Sequence, residues 1–322
     1  MRTRLIFLII TGLFVSAQAS TAAAADLKLI RVAHGPTLVD LPFSVAKEAG
    51  LFQKYGLNLD EIIRIPTHDI LVANAVDCTV APNVDRLIRL RAQGFETRVL
   101  ATVINLSTVA LIVRDDFPED RAVDELKKGP IGVYSSTGGS GYAGYLKAMK
   151  KLGIDPKSPD LVETKSDLMI AGVKTGRLKA AVFEYALIPK ARKAGLKVLL
   201  DLSGEPYPVV TVACRKDFID RNPDMAENLL KVMVEATYLV KTDKQLLMRV
   251  LKTVHGVSEV DLREWIADFI SRVTVSGSDM APQDIVALAA DDDLKTMDEP
   301  RIVDLSFLKR LDASGFFDKF PR

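Results

Sequence analysis

Residues 135–141 read Ser135-Ser136-Thr137-Gly138-Gly139-Ser140-Gly141, between a β-rich segment and a segment with helical periodicity. Hydroxyls and unhindered amides at the start of a helix can converge on an anion, because the first amides of a helix lack internal partners and the helix dipole favours negative charge there. The same composition also suits a solvent-exposed turn. The loop lacks the Gly-Lys-Ser/Thr ending of a nucleotide-binding loop. Asn83 and Asn105 each follow a β segment, and an amide can donate to an acid oxygen or accept from an amine, so either residue can orient a ligand or simply form a turn. Thr108 adds a hydroxyl, and Asp40 can contact a ligand or cap the helix that follows it. Glu184-Tyr185 closes another β segment. There the ring can stack on a planar group and the carboxylate can accept from an N–H or hydroxyl, whereas an unpaired carboxylate facing a sulfonate is unfavourable.

These residues need elements to position them. Short strands are expected at 27–33, 57–65, 78–81, 97–103, 108–114, 130–134, 162–164, 180–183, 197–202 and 209–214, with short helices between most of them. The helices show apolar residues at three- and four-residue spacing and are bounded by Gly, Pro and Asn. Strands alternating with helices at this spacing imply α/β layers with mainly parallel sheets. From Asn222 onward the pattern is mostly helical, at 223–241, 243–251, 259–270 and 282–289. The expected organisation is two lobes: 26–116 with 209–322 form the first, 117–208 the second, and two crossings near 115–120 and 203–209 act as the hinge. Ligands of open α/β sheets sit beyond the C-terminal strand ends, here between the lobes.

Arg2 and Arg4 precede an apolar run, Leu5 to Val15, and small residues up to Ala25. This is the pattern of an exported leader, residues 1–25, and the run is too short to span a bilayer, which takes about 20 apolar residues. Without the leader, 297 residues remain, with 41 basic against 42 acidic side chains. That balance argues against a nucleic-acid partner, which needs a basic surface. No stable membrane insertion is expected, and a monomer is the expected state. Cys78 and Cys214 are the two cysteines; export permits a disulfide between them, and two buried thiols fit equally well. With His34, His68 and His255 unclustered, no metal or other cofactor is expected.

One stretch carries a family resemblance: Leu41-Pro42-Phe43-Ser44-Val45-Ala46-Lys47-Glu48-Ala49-Gly50-Leu51-Phe52-Gln53-Lys54-Tyr55-Gly56-Leu57. With Ala75-Val76-Asp77-Cys78 and Gly176-Arg177-Leu178-Lys179-Ala180, where Lys179 stands in place of the usual Asp, it resembles the periplasmic substrate-binding proteins that serve uptake transporters for sulfonates, taurine, nitrate and thiamin-precursor pyrimidines. The resemblance implies the type II two-lobe periplasmic-binding-protein fold. It also implies delivery of solute to an inner-membrane ABC permease, and a ligand among Gly35, Pro36, Asp40, Pro82, Asn83, Asn105, Thr108, Ser135, Ser136, Thr137, Gly138, Ser140, Tyr142, Glu184 and Tyr185. A small organic sulfonate or carboxylate is the first expectation and a pyrimidine-like heteroaromatic amine the second. An enzyme resembling the thiamin-pyrimidine synthases would need a reactive lysine and histidine brought together, for which Lys47, Lys54 and His68 supply the types. The leader favours transport over such cytosolic chemistry, and no enzymatic activity is expected. A sensory module that presents bound solute to a receptor is a further alternative.

Overall fold

A computed structural model describes residues 27–36, 38–63, 67–82, 84–136, 139–184, 187–255 and 302–320, with isolated positions at 266, 270, 271, 273 and 280. The expected leader, the expected helix at 282–289 and most of that at 259–270 lie outside the described residues.

The first lobe begins with strand β1 (Lys28–His34), followed by a 3-10 turn at Leu38–Asp40, helices α1 (Leu41–Glu48) and α2 (Leu51–Lys54), and strand β2 (Leu57–Ile63). Helix α3 (Thr67–Val72), strand β3 (Cys78–Pro82), helix α4 (Val84–Ala92) and strand β4 (Thr97–Leu106) complete its N-terminal part. The chain then enters the second lobe: β5 (Val109–Arg114), α5 (Ala122–Lys127), β6 (Ile131–Val133), α6 (Ser140–Leu152), β7 (Leu161–Glu163), α7 (Ser166–Lys174), β8 (Ala180–Glu184), α8 (Ile188–Lys193) and β9 (Leu196–Asp201). It returns through β10 (Pro206–Arg215), α9 (Lys216–Arg221), α10 (Pro223–Thr242) and α11 (Lys244–Thr253), and the described C-terminal segment carries α12 (Ser306–Ala313).

Strand order is β2-β1-β3-β10-β4 in one sheet and β7-β6-β8-β5-β9 in the other. This is the type II periplasmic-binding-protein arrangement. Strands reached through a helix run parallel to their neighbours, as β1 does to β2 and β3, and β6 to β7 and β8. β10 is antiparallel to β3 and β4, and β5 to β8 and β9. The exceptions have one cause. A strand that arrives straight from the other lobe, with no helix to carry the chain back, starts where the other strands end and runs against them.

That topology corrects the expected boundary. The sequence places Val109–Arg114 in the first lobe with a crossing near 115–120, yet β5 pairs with β8 and β9 in the second sheet. The first crossing is therefore Ser107-Thr108, and the chain returns at 202–205. The two crossings lie side by side: the Ser107 amide donates to the Glu205 carbonyl (2.7 Å) and the Gly204 amide to the Ser107 carbonyl (3.1 Å).

β5 also shows why the second sheet is buried on both faces. Val109, Leu111 and Val113 pack with Tyr145 and Met149 of α6. Ala110 and Ile112 turn to Met169 and Val173 of α7 and Ile188 and Ala191 of α8. A continuous apolar run, rather than an alternating one, is what a strand covered on both sides requires. In the first lobe, α10 presents Met225, Leu229 and Met233 to a core that includes Ile30, Val32, Phe43, Phe52 and Val80. Pro223 occupies its first turn, where a missing amide proton costs little. Asp243 caps α11, accepting from the Leu246 amide (2.9 Å). Cys78 and Cys214 face each other across the β3–β10 pair and are joined by a disulfide.

Candidate functional site

The C-terminal end of β8, the start of β5, the start of α6 and the start of α4 meet where the two crossings run. Glu184 closes β8 opposite Val109 in the antiparallel register, which sets Thr108 at the same end of the sheet. The Ser140 hydroxyl, in the first turn of α6, donates to Glu184 (3.1 Å). Burial raises the Glu184 carboxyl above its ordinary range, with the Ser140 bond opposing in part. Thr108 is 4% exposed and its hydroxyl has no hydrogen-bond partner among the described residues. A buried hydroxyl left in that state costs stability that a bound group can recover.

Across the seam stands Asp85, in the first turn of α4 and fully buried. One of its carboxylate oxygens accepts from the Gly139 amide of the second lobe (3.0 Å) and from the Tyr207 hydroxyl at the start of β10 (2.8 Å). Gly139 holds φ of 89°, a conformation open to glycine and strained for other residues, and this turns its amide toward Asp85. Tyr207 is itself buried; burial first and Asp85 second push its hydroxyl well above the ordinary tyrosine value, so it remains a donor. Lys147 of α6 donates to the Pro206 carbonyl (2.8 Å) and Lys151 pairs with Glu205 (2.5 Å), fastening α6 to the second crossing.

The loop before α6 sits at this seam, but its bonding differs from the expectation of a free anion cradle. The Ser136 amide and hydroxyl both donate to Glu163 at the end of β7 (2.6 Å each). Those two bonds hold the Glu163 carboxyl below its usual range. With the Gly139 and Ser140 bonds, four donors of the loop serve three carboxylates of the chain itself.

Of the other candidates, Gly35 follows β1, where a β-carbon would lie 2.8 Å from Asp40 Oδ2, so the close approach of the Asp40 carboxyl depends on glycine there. Asp40 is buried and occupies the position before α1, but its side chain makes no capping bond. At φ −82° and ψ 5° it belongs to the preceding 3-10 turn, not to the extended conformation that capping uses. Pro36 is exposed, and the Pro82 backbone ends β3. Asn105 is half-buried near the end of β4, and Ser135 is half-buried. Tyr142 stacks on Tyr145 (6.2 Å between ring centroids) and packs against the core of the second lobe. Asn83, Thr137, Gly138 and Tyr185 lie outside the described residues.

The histidines are held within the first lobe. His34 stacks on Phe43 (4.2 Å) with Nδ1 on the Gly35 carbonyl (2.8 Å), and burial lowers its pKa. His68 is buried on the Thr79 hydroxyl (3.2 Å). Lys47 pairs with Glu61 and Lys54 with Glu235, so the lysine and histidine types that a synthase-like site would need are engaged separately. Among the described residues, no group of three or more His, Cys, Asp or Glu is placed to hold a metal ion, and no helix is long and apolar enough to cross a membrane. Sequence reasoning missed Asp85 and Tyr207. An acid in the first turn of a helix reads as dipole compensation, and Tyr207 sits within Pro206-Tyr207-Pro208 and reads as linker.

The geometry agrees with solved structures of low sequence identity. The periplasmic aliphatic sulphonate binding protein SsuA from Escherichia coli superposes with a TM-score of 0.65 at 12% identity, over 92% of this chain and 94% of that one. The periplasmic nitrate-binding protein NrtA from Synechocystis PCC 6803 gives 0.65 at 15% identity, over 92% of each chain. The ligand-binding component of an ABC-type import system from Staphylococcus aureus, solved with zinc bound, gives 0.65 at 16% identity, over 88% of this chain and 98% of that one. No curated protein matches the sequence. These likenesses share the fold. The sequence itself matches the NMT1-like family over residues 23–254, most of its length, and the chain belongs to that family.

Proposed function

We propose that this is an exported solute-binding protein, which takes a small molecule into the seam between its lobes and presents the closed form to an ABC permease. The observation that carries this reading is the Thr108 hydroxyl, buried without a partner among the described residues, at the first crossing and at the sheet end that Glu184 closes. A solute that bonds to both groups supplies the missing partner, and two lobes joined by two short crossings can admit and enclose it. Preference of the solute for the closed form supplies the population shift that a permease reads. The periplasmic location named for the E. coli and Synechocystis neighbours supports export of this chain as well.

The bonding pattern favours a solute bearing N–H groups over the sulfonate or carboxylate that the loop composition suggests. The loop donors named above already serve Glu163, Asp85 and Glu184. The Glu184 carboxyl can accept from a solute amino group and the Thr108 hydroxyl can donate to a ring nitrogen, and an amino group next to a ring nitrogen matches that pair. A heteroaromatic amine of the aminopyrimidine kind fits this chemistry. Titration calorimetry with 2-aminopyrimidine, 4-aminopyrimidine, methanesulfonate, acetate and nitrate tests the reading. Saturable one-to-one binding of an aminopyrimidine is expected; saturable binding of methanesulfonate or nitrate alone would reverse the assignment of ligand class.

A further inference from the structure

The position where an anion would be expected is filled from within. Helix α6 is 13 residues long, and the residue ahead of it, Gly139, donates its amide to a carboxylate oxygen of Asp85 from the opposite lobe. The same oxygen is held by the buried Tyr207 hydroxyl. We infer that Asp85 is a specificity gate: its carboxylate acts as an intramolecular stand-in for a ligand anion at the start of α6, so that the protein rejects small anions while the rest of the seam stays open to a neutral or cationic solute. The inference rests on the seam being the solute site.

Three features support the gate. A tethered carboxylate competes at an effective concentration in the millimolar range, which a weak external anion must exceed. A second negative charge brought beside Asp85 in a buried seam is repelled, because low-dielectric surroundings strengthen the interaction. The Thr108 hydroxyl, unpartnered among the described residues, lies at the sheet end that Glu184 closes and not on the Asp85 oxygen, so unmet bonding capacity remains in the seam away from Asp85. Asp85 also bridges the lobes through Gly139, so the contact that excludes anions holds the seam together as well.

The test is calorimetric titration of methanesulfonate and of sulfate into wild type, Asp85→Asn and Asp85→Ala, with folding of each variant checked by circular dichroism. Wild type should show no saturable binding up to about 10 mM. Both variants should gain saturable binding, at least about tenfold tighter than wild type and weakened by added sodium chloride. Folded variants that gain nothing, or a wild type that binds methanesulfonate as tightly as they do, overturn the gate. Should neither variant fold, the Gly139 amide resonance of wild type decides: unmoved by 10 mM methanesulfonate it supports the gate, and shifted along a saturable curve it refutes it. A wild type that binds no aminopyrimidine contradicts the solute reading and leaves the gate standing. Folded variants indifferent to anions remove the gate alone.

Discussion

Replacing Tyr207 by Phe deletes one hydroxyl and leaves the ring in place. That hydroxyl donates to Asp85 over 2.8 Å, and the two residues are 3% and 0% exposed. A buried hydrogen bond to a charged group contributes about 1.5–3 kcal/mol, and its loss leaves the carboxylate with fewer donors and no access to water. The expected destabilisation is therefore about 2 kcal/mol, which lowers the melting temperature of a chain this size by roughly 3 °C. Urea unfolding at neutral pH measures it. Repeating the substitution in an Asp85→Asn background gives the coupling between the two groups, expected to be at least about 1 kcal/mol because they share one bond. A loss below about 0.5 kcal/mol in the wild-type background, or the same loss in both backgrounds, would show that the Tyr207–Asp85 contact does not hold the seam and would remove the physical basis of the gate.

Three other outcomes follow from named groups. Reducing the Cys78–Cys214 bond, which spans 136 residues of sequence and encloses the second lobe, should lower stability by up to about 5 kcal/mol on the chain-entropy account; an unchanged denaturation midpoint in reductant contradicts it. Glu184 has a folded pKa raised by burial above the ordinary 4.5. Its contribution is present at acid pH and lost as pH rises through the folded value, so Glu184→Gln should gain stability relative to wild type at pH 8 compared with pH 4, and calorimetry showing a pH-independent difference refutes the assignment. His34 has a folded pKa lowered from 6.5, chiefly by burial, with Glu61 and the Gly35 carbonyl opposing and Lys47 assisting. Its contribution is full above that value and falls away as pH drops through the folded one, so His34→Gln should flatten the loss of stability on acidification below about pH 6.5; an unchanged slope argues against a neutral buried imidazole.

The elements were legible where patterning is local. β1, β2 and β3 appear within about two residues of expectation, because alternation and the turn residues that bound it are written in adjacent residues. Sheet membership was less so. Val109–Arg114 follows β4 after only Ser107-Thr108, and nothing local distinguishes a strand that extends one sheet from one that starts another; the pairing with distant β8 and β9 decides it. The short helix α9 was missed for a related reason: Lys216–Arg221 carries only Phe218 and Ile219 as buried residues, too few to show a helical period.

The site divides in the same way. Ser136, Ser140, Glu184 and Thr108 could be selected because loops at strand ends carry polar groups toward a ligand, and the structure brings the last three to one seam. What those donors bond to was not legible. Glu163 and Asp85 come from another strand and the other lobe, and they accept from the loop amides of Ser136 and Gly139. Tyr142 shows the opposite failure: two residues, about half a helical turn, after Ser140, it faces Tyr145 and the core.

Hydrogen exchange of the wild-type protein, with and without saturating 4-aminopyrimidine, tests the central claim most directly. Capture in the seam predicts slowed exchange together in 107–110, 139–145 and 203–208, segments from both lobes and both crossings. Unchanged exchange, or protection confined to one lobe, would contradict it.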